Sequence, residues 1–306
     1  MALHRLTRVV MGVPNRSETI GYYQQFGLDH LGNGAMTTQD GGNQLTVVSA
    51  PTRRLVELGV AVDDEDDLAR IAQRLRRVGS AVETTDTTVT TQEPAAGFAV
   101  RITVAPRLAQ TASPATPYNG PGRVDRHGRG PGVMRTQSVK PRKLGHAVVG
   151  TTDLAATKSF FTDGLGFKTS DYIADKGVFM RCSADHHNVL ALAAPVNFLH
   201  HTSWQVDDVD EVGRGATSML EQHPERHVWG LGRHHAGSNF FWYLKDPAGN
   251  FSEYYADMDC IPENEVWNPD VFNGPQGLYQ WGPPPPASFL EPEDLAALMT
   301  GQHASR

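Results

Sequence analysis

Cysteine is scarce in this 306-residue chain. There are two, Cys182 and Cys260, far apart and outside any paired spacing, which excludes a disulfide framework as the source of stability. Basic charge is not in excess either. The formal net charge is −7, so the chain lacks the positive face that a nucleic acid or an acidic membrane surface requires. No apolar run approaches the length that crosses a bilayer, and the opening residues, Met1-Ala-Leu-His-Arg-Leu-Thr-Arg8, lack the apolar core of a signal peptide. The expectation is a cytoplasmic protein that acts on small molecules, without nucleic-acid or membrane partners, long enough for two ordinary domains.

Histidine is what the chain has in plenty. Of 13, nine fall between positions 146 and 235: His146, His186, His187, His200, His201, His223, His227, His234 and His235. Such clustering suits a metal site with acid–base neighbours, although a polar surface also collects histidine, so spacing has to decide.

Taken in order, residues 1–104 read as one unit. Strand-like runs at Leu6–Val13, 35–38, 43–48, 55–62 and 99–104 surround two helical patterns, one closed by Gly27 and one over 65–78 with Leu68, Ile71, Ala72 and Leu75 at helical period. Residues 105–142 differ in kind, mixing Pro106, Pro114, Pro117, Pro121, Pro131 and Pro141 with several glycines, which marks a linker. Residues 143–257 then repeat the first unit, with strands near 144–150, 168–173, 177–182, 188–194, 199–206, 240–245 and 251–255. The stretch 223–237 reads as a loop. Val62-Asp63-Asp64 and Val206-Asp207-Asp208 each follow an apolar run and precede a helix, which fixes the register of the repeat. Residues 258–306 leave it as a proline-stiffened tail with a short helix opening near Phe289.

Three short pieces of the second unit place metal-capable side chains in alternating apolar runs: Leu144-Gly-His146, Phe198-Leu-His200-His201, and Tyr243-Leu-Lys-Asp246-Pro-Ala-Gly249-Asn-Phe-Ser-Glu253-Tyr. Two neutral imidazoles and a carboxylate with other positions open form the facial set of non-haem Fe(II) oxygenases. Alone, His146 is better explained as a core histidine bonded to backbone, but a carboxylate such as Glu253 in an apolar strand needs a cation or donor. Strand alternation lets one member of each pair His186/His187, His200/His201 and His234/His235 face the site. Of the middle pair His201 is favoured, sharing a face with Ser203 and Gln205. The register of the repeat sets Arg8 opposite His146, Glu57 opposite His201 and Arg101 opposite Glu253. Guanidinium offers no lone pair, so the first unit is expected to carry no metal.

Those motifs, with Gly232-Arg-His234, resemble the two-domain extradiol catechol dioxygenases of the vicinal oxygen chelate superfamily, weakly over the first half and strongly over the second. The resemblance implies an α+β fold of two domains, each of two βαβββ repeats. It implies His146, His201 and Glu253 as ligands of Fe(II), with Mn(II) suited to the same set. It also implies catalytic roles for His187, His234 and Tyr243, and substrate contacts from Tyr255 and, if the tail covers the cavity mouth rather than packing on its own or a neighbouring subunit, from Trp281. The activity implied is ring cleavage of a catechol with O2 by a homo-oligomer in aromatic degradation. A glyoxalase-like isomerase or lyase, which needs a fourth protein ligand, and a non-catalytic small-molecule binder of the same fold are the rival readings.

Overall fold

Two β-sheets carry the chain, each assembled from two copies of one βαβββ unit. The structure, a computed structural model, describes residues 3–303. The first unit is β1 (Leu3–Val13), α1 (Arg16–Gln25), β2 (Asp29–Gly32), β3 (Ala35–Thr37) and β4 (Asn43–Ser49). The second is β5 (Arg54–Val62), α2 (Glu65–Arg77), β6 (Val82–Thr84), β7 (Thr88–Gln92) and β8 (Ala99–Val104). The third is β9 (Lys143–Thr151), α3 (Leu154–Ser159) with a π-helical turn over Phe160–Leu165, β10 (Lys168–Ile173), β11 (Gly177–Arg181) and β12 (Val189–Ala193). The fourth is β13 (Phe198–Gln205), α4 (Val209–Leu220), β14 (His227–Arg233), β15 (Phe240–Lys245) and β16 (Phe251–Ala256).

The first sheet runs β2-β3-β4-β1-β5-β8-β7-β6. The second, read from its other edge, has the same order with one short strand added, β17 (Val271–Phe272), beside β10. The repeat extends to backbone defects. In the first sheet Thr7 and Val56 are skipped in the pairing of β1 with β5; in the second, Gly145 and His200 are skipped in the pairing of β9 with β13. Arg8 and Arg101 both register with Gly59, as His146 and Glu253 both register with Ser203. Arg8, Glu57 and Arg101 therefore occupy the strand positions of His146, His201 and Glu253. There they close on one another: Arg8 Nε donates to Glu57 Oε1 at 2.9 Å and Arg101 Nε to Glu57 Oε2 at 3.2 Å.

The repeated Val-Asp-Asp has a local cause. The second aspartate caps the following helix, with Asp64 accepting from the Asp67 amide and Asp208 from the Glu211 amide, which satisfies amides the helix start leaves free. The first aspartate holds the linker: Arg107 donates to Asp63 and Arg142 to Asp207. Residues 105–142 contain no helix and only the isolated bridge Gly120–Arg123; Arg135, bonded to Asp208 and Glu211, pins them further.

The sheets share one continuous apolar core. Helix α2 buries Leu68, Ile71, Ala72 and Leu75, the three larger ones worth roughly 1.5–3 kcal/mol apiece, and Arg74 at its end donates to Leu165 O of the π-helical turn at 2.9 Å. Helix α1 lies behind β16. Phe26 stacks on Tyr254 at 3.8 Å, Tyr254 Oη donates to Phe26 O at 2.7 Å, and Tyr22 Oη bonds Ser252 Oγ at 2.5 Å. Even-numbered residues of β16 thus face α1, which leaves Glu253 and Tyr255 to the opposite face.

Two expectations change. The stretch 223–237 is not a loop, since a 3-10 turn (Pro224–Arg226) leads into β14. Its glycines, which punctuate the sequence, are there for the aromatic run of β15: a Cβ on Gly230 would meet Trp242 Cγ at 2.8 Å, and one on Gly232 would meet Phe241 Cζ at 2.5 Å. In the tail, Phe289 belongs to a helical turn, α5 (Ala287–Leu290), and the terminal helix α6 (Leu295–His303) starts only after Pro292.

Candidate metal centre

Strands β9, β13 and β16 are neighbours in the second sheet, and each contributes one donor to a single point. His146 Nε2 lies 3.0 Å from Glu253 Oε2 and 3.4 Å from His201 Nε2, and His201 Nε2 lies 3.7 Å from Glu253 Oε2. Ser203, between them in register, is small enough to leave this space open. An octahedral ion with bonds of about 2.1 Å sets adjacent donors about 3.0 Å apart, close to this spacing. Glu253 is fully buried and its Oε2 has no hydrogen-bond donor among the described residues, a costly arrangement for a carboxylate without a cation. The donor set therefore fits a divalent metal.

The charge states agree. Burial opposes ionisation of Glu253, but the neighbouring His146 outweighs it and holds the carboxyl well below the usual range. Burial, reinforced by neighbouring histidines, pushes His187 and His201 well below the usual imidazole range, so both stay neutral with a lone pair available. Glu253 Oε1 accepts from Asn239 Nδ2 at 3.2 Å.

Glycine in Leu-Gly-His146 is required by the close approach of Tyr255. A Cβ at Gly145 would lie 2.0 Å from Tyr255 Oη and 2.4 Å from its ring. Tyr255 packs behind His146, ring centroids 5.5 Å apart, and so buttresses the imidazole rather than lining the open side.

That open side faces a cavity of about 650 Å3, walled by apolar residues such as Val148, Phe179, Leu190 and Phe289, with His187, His234 and Tyr243 around the donors. The ring of His187 is 4.3 Å from that of His146, and its Nδ1 is 3.1 Å from His186 Nδ1, whose Nε2 reaches Asp171 Oδ2 at 2.8 Å. Tyr243 Oη donates to His234 Nε2 at 2.8 Å, because His234 Nδ1 already donates to Leu278 O at 2.5 Å. Burial and the charge of Glu253 push the Tyr243 phenol far up, keeping it a donor.

Two of the histidine pairs split as alternation expects, although both lie just outside the strands: His187 and His234 face the cavity, while His186 lies behind and His235 bonds Gln280 outside. It fails for the third. The bulge at His200 turns both His200 and His201 to the cavity, with their Nδ1 atoms 2.7 Å apart. Trp281 is 46% exposed, bridges to Arg233 at the edge of β14 and does not line the cavity; the tail reaches it instead through Leu278, Phe289 and Leu290. Asp171, Asn239 and the tail carbonyls escaped the sequence reading. Asp171 and Asn239 carry no pattern of their own, and a carbonyl leaves no mark in a sequence.

Residues 143–254 match the Glyoxalase/Bleomycin resistance protein/Dioxygenase superfamily. The chain is 36% identical over 199 residues to metapyrocatechase 2 of Cupriavidus necator, covering 63% of this chain and 60% of that protein. It is 28% identical over 158 residues to the manganese-dependent 2,3-dihydroxybiphenyl 1,2-dioxygenase of Geobacillus genomosp. 3, covering 47% and 50%. The chain thus spans three-fifths of the first relative's length and half of the second's. Among solved structures, the Mn(II)-bound glyoxalase of Novosphingobium aromaticivorans superposes with a TM-score of 0.70 at 24% identity, covering 93% of both chains, a likeness of fold.

Proposed function

We propose that this chain, whose residues 143–254 match the Glyoxalase/Bleomycin resistance protein/Dioxygenase superfamily, is an extradiol dioxygenase. It would open a catechol ring with O2, both oxygen atoms entering a muconic semialdehyde-type product. The observation that carries the reading is the open side of the donor set: two imidazoles and a carboxylate converge from one direction and face a largely apolar cavity of about 650 Å3. A glyoxalase-like isomerase needs a fourth protein ligand, and among the described residues the convergent group has three members.

His146, His201 and Glu253 would hold Fe(II), or Mn(II), which supplies a Lewis acid that acidifies a bound catechol and a meeting point for it with O2. The remaining roles belong to the chain. Tyr243 Oη and His234 Nε2 orient the catechol oxygens by hydrogen bonds. His187, neutral and backed by His186 and Asp171, takes a proton and returns it as the ring opens. The apolar wall excludes water and stacks against the ring. Tyr255 acts by holding His146 in place. We propose as well the division into residues 1–104 (without a metal), a linker over 105–142, a catalytic unit over 143–257 and a capping tail over 258–306, in a cytoplasmic homo-oligomer. Among the described residues no helix is long and apolar enough to cross a membrane.

The test is anaerobic loading with Fe(II), then aerated buffer and a panel of catechols, following O2 uptake and the yellow ring-opened product. Stoichiometric O2 use lost in His146→Ala and Glu253→Gln supports ring cleavage. Tight metal binding with no O2 use on any catechol would turn the reading to an isomerase or lyase.

A further inference from the structure

Two main-chain carbonyls of the tail end on histidines of the centre. Phe289 O lies 2.7 Å from His200 Nε2, and Leu278 O lies 2.5 Å from His234 Nδ1. A carbonyl only accepts, so in each case the ring nitrogen carries the proton. For His200 this leaves Nδ1 bare in the neutral ring, and the His201 Nδ1 at 2.7 Å is then the donor between them. His201 thereby keeps its proton on Nδ1 and presents a bare Nε2 to His146 and Glu253. For His234 the same logic leaves Nε2 bare to accept from Tyr243 Oη. Were His201 to flip its proton to Nε2, it would offer the centre an N–H in place of a lone pair.

We propose that the C-terminal segment around residues 278–294 is a positioning element of the centre, its carbonyls at Phe289 and Leu278 setting which nitrogen of His201 and of His234 is free, with His200 as the relay to His201. The assignment of His201 as a ligand rests on the reading above. The segment is anchored for this task. Asp294 clasps Arg53 by two bonds, Nε to Oδ2 at 2.6 Å and Nη2 to Oδ1 at 2.8 Å, while Arg53 Nη1 donates to Leu199 O, beside His200, at 2.7 Å. Phe289 also packs on the His200 ring at 4.8 Å. The clasp sets the tail's reach; the relay carries it to the ligand.

The experiment uses the full chain and three variants: His200→Phe, which keeps a ring but no nitrogen; His200→Gln, whose amide can donate to Phe289 O and accept from His201; and Asp294→Asn, which loosens the clasp away from the centre. Metal affinity is read by titration with Mn(II) alone, the tautomer of His201 by nitrogen-15 NMR of the metal-free protein, and folding by melting point. The expected result is His201 protonated on Nδ1 in the parent. His200→Phe should lose that signature and weaken Mn(II) binding about 10–100-fold, His200→Gln should return within a few-fold of the parent, and Asp294→Asn should fall between. A parent with His201 protonated on Nε2, or a folded His200→Phe that binds Mn(II) like the parent, overturns the proposal. Because no readout involves a catechol, the proposal can hold with ring cleavage absent, and it can fail with ring cleavage intact.

Discussion

Gly145→Ala is a one-carbon test of how His146 is held. The added Cβ would sit 2.0 Å from Tyr255 Oη, 2.4 Å from Cε1 and 2.5 Å from Cζ, well inside the roughly 3.5 Å at which non-bonded atoms settle. Tyr255 has nowhere to retreat, being fully buried with its ring against His146. The strain is then shared between the tyrosine and the bulged backbone next to the histidine. Overpacking of this kind costs about 1–3 kcal/mol, more where nothing yields. At about 2.1 cal/mol/K per residue of unfolding entropy, that lowers the melting point of a chain this long by about 2–5 °C. The decisive assay is a double-mutant cycle. In a Tyr255→Val background the space exists, so the cost of Gly145→Ala should shrink by 1 kcal/mol or more, on the order of contact couplings elsewhere. Tyr255→Phe should be close to neutral, because the hydroxyl it removes has no hydrogen-bond partner among the described residues. A Gly145→Ala protein that melts with the parent and binds Mn(II) equally would refute the idea that this close approach fixes His146.

Three further outcomes follow from the same geometry. Mn(II) at a free concentration about a hundredfold above its Kd should stabilise the chain by about 2.7 kcal/mol, a rise of about 4 °C, and Glu253→Gln should abolish the rise; calorimetry with and without chelator decides. Burial pushes the Asp246 carboxyl up to about 6, so the folded chain holds a proton there that the unfolded chain releases near pH 4; stability should fall by about 3 kcal/mol between about pH 4 and 6 and then level. Asp246→Asn should remove that slope from the parent-minus-variant difference in urea unfolding. Tyr254→Phe deletes the donor to Phe26 O and should cost about 1–2 kcal/mol without changing Mn(II) affinity, which separates the back of β16 from its front.

Much of this architecture is legible in the sequence. Val-Asp-Asp marks the repeat because the capping and linker-holding jobs recur wherever the unit recurs, and local jobs leave local signatures. Polar residues in apolar strands marked His146, His201 and Glu253 as residues in need of a partner. The bulges were not legible. One forms at Gly145 because Tyr255 approaches from over a hundred residues away, and the other brings His200 into a site that strand alternation reserves for His201 alone. Strand β14 was hidden by Gly230 and Gly232, which read as punctuation until Phe241 and Trp242 are seen lying on them. β2 was hidden by full exposure, which removes any apolar alternation.

The triad of Arg8, Glu57 and Arg101 in the first sheet changes what metal scarcity does to this molecule. Half of the duplicated scaffold is closed at this point by direct hydrogen bonds between side chains it brings itself, which ask for no ion. Helix α1 of that half then supplies the surface on which β16 lies, through Phe26 and Tyr22. A starved population would therefore consist of idle molecules awaiting their ion, rather than of unfolded ones to be destroyed.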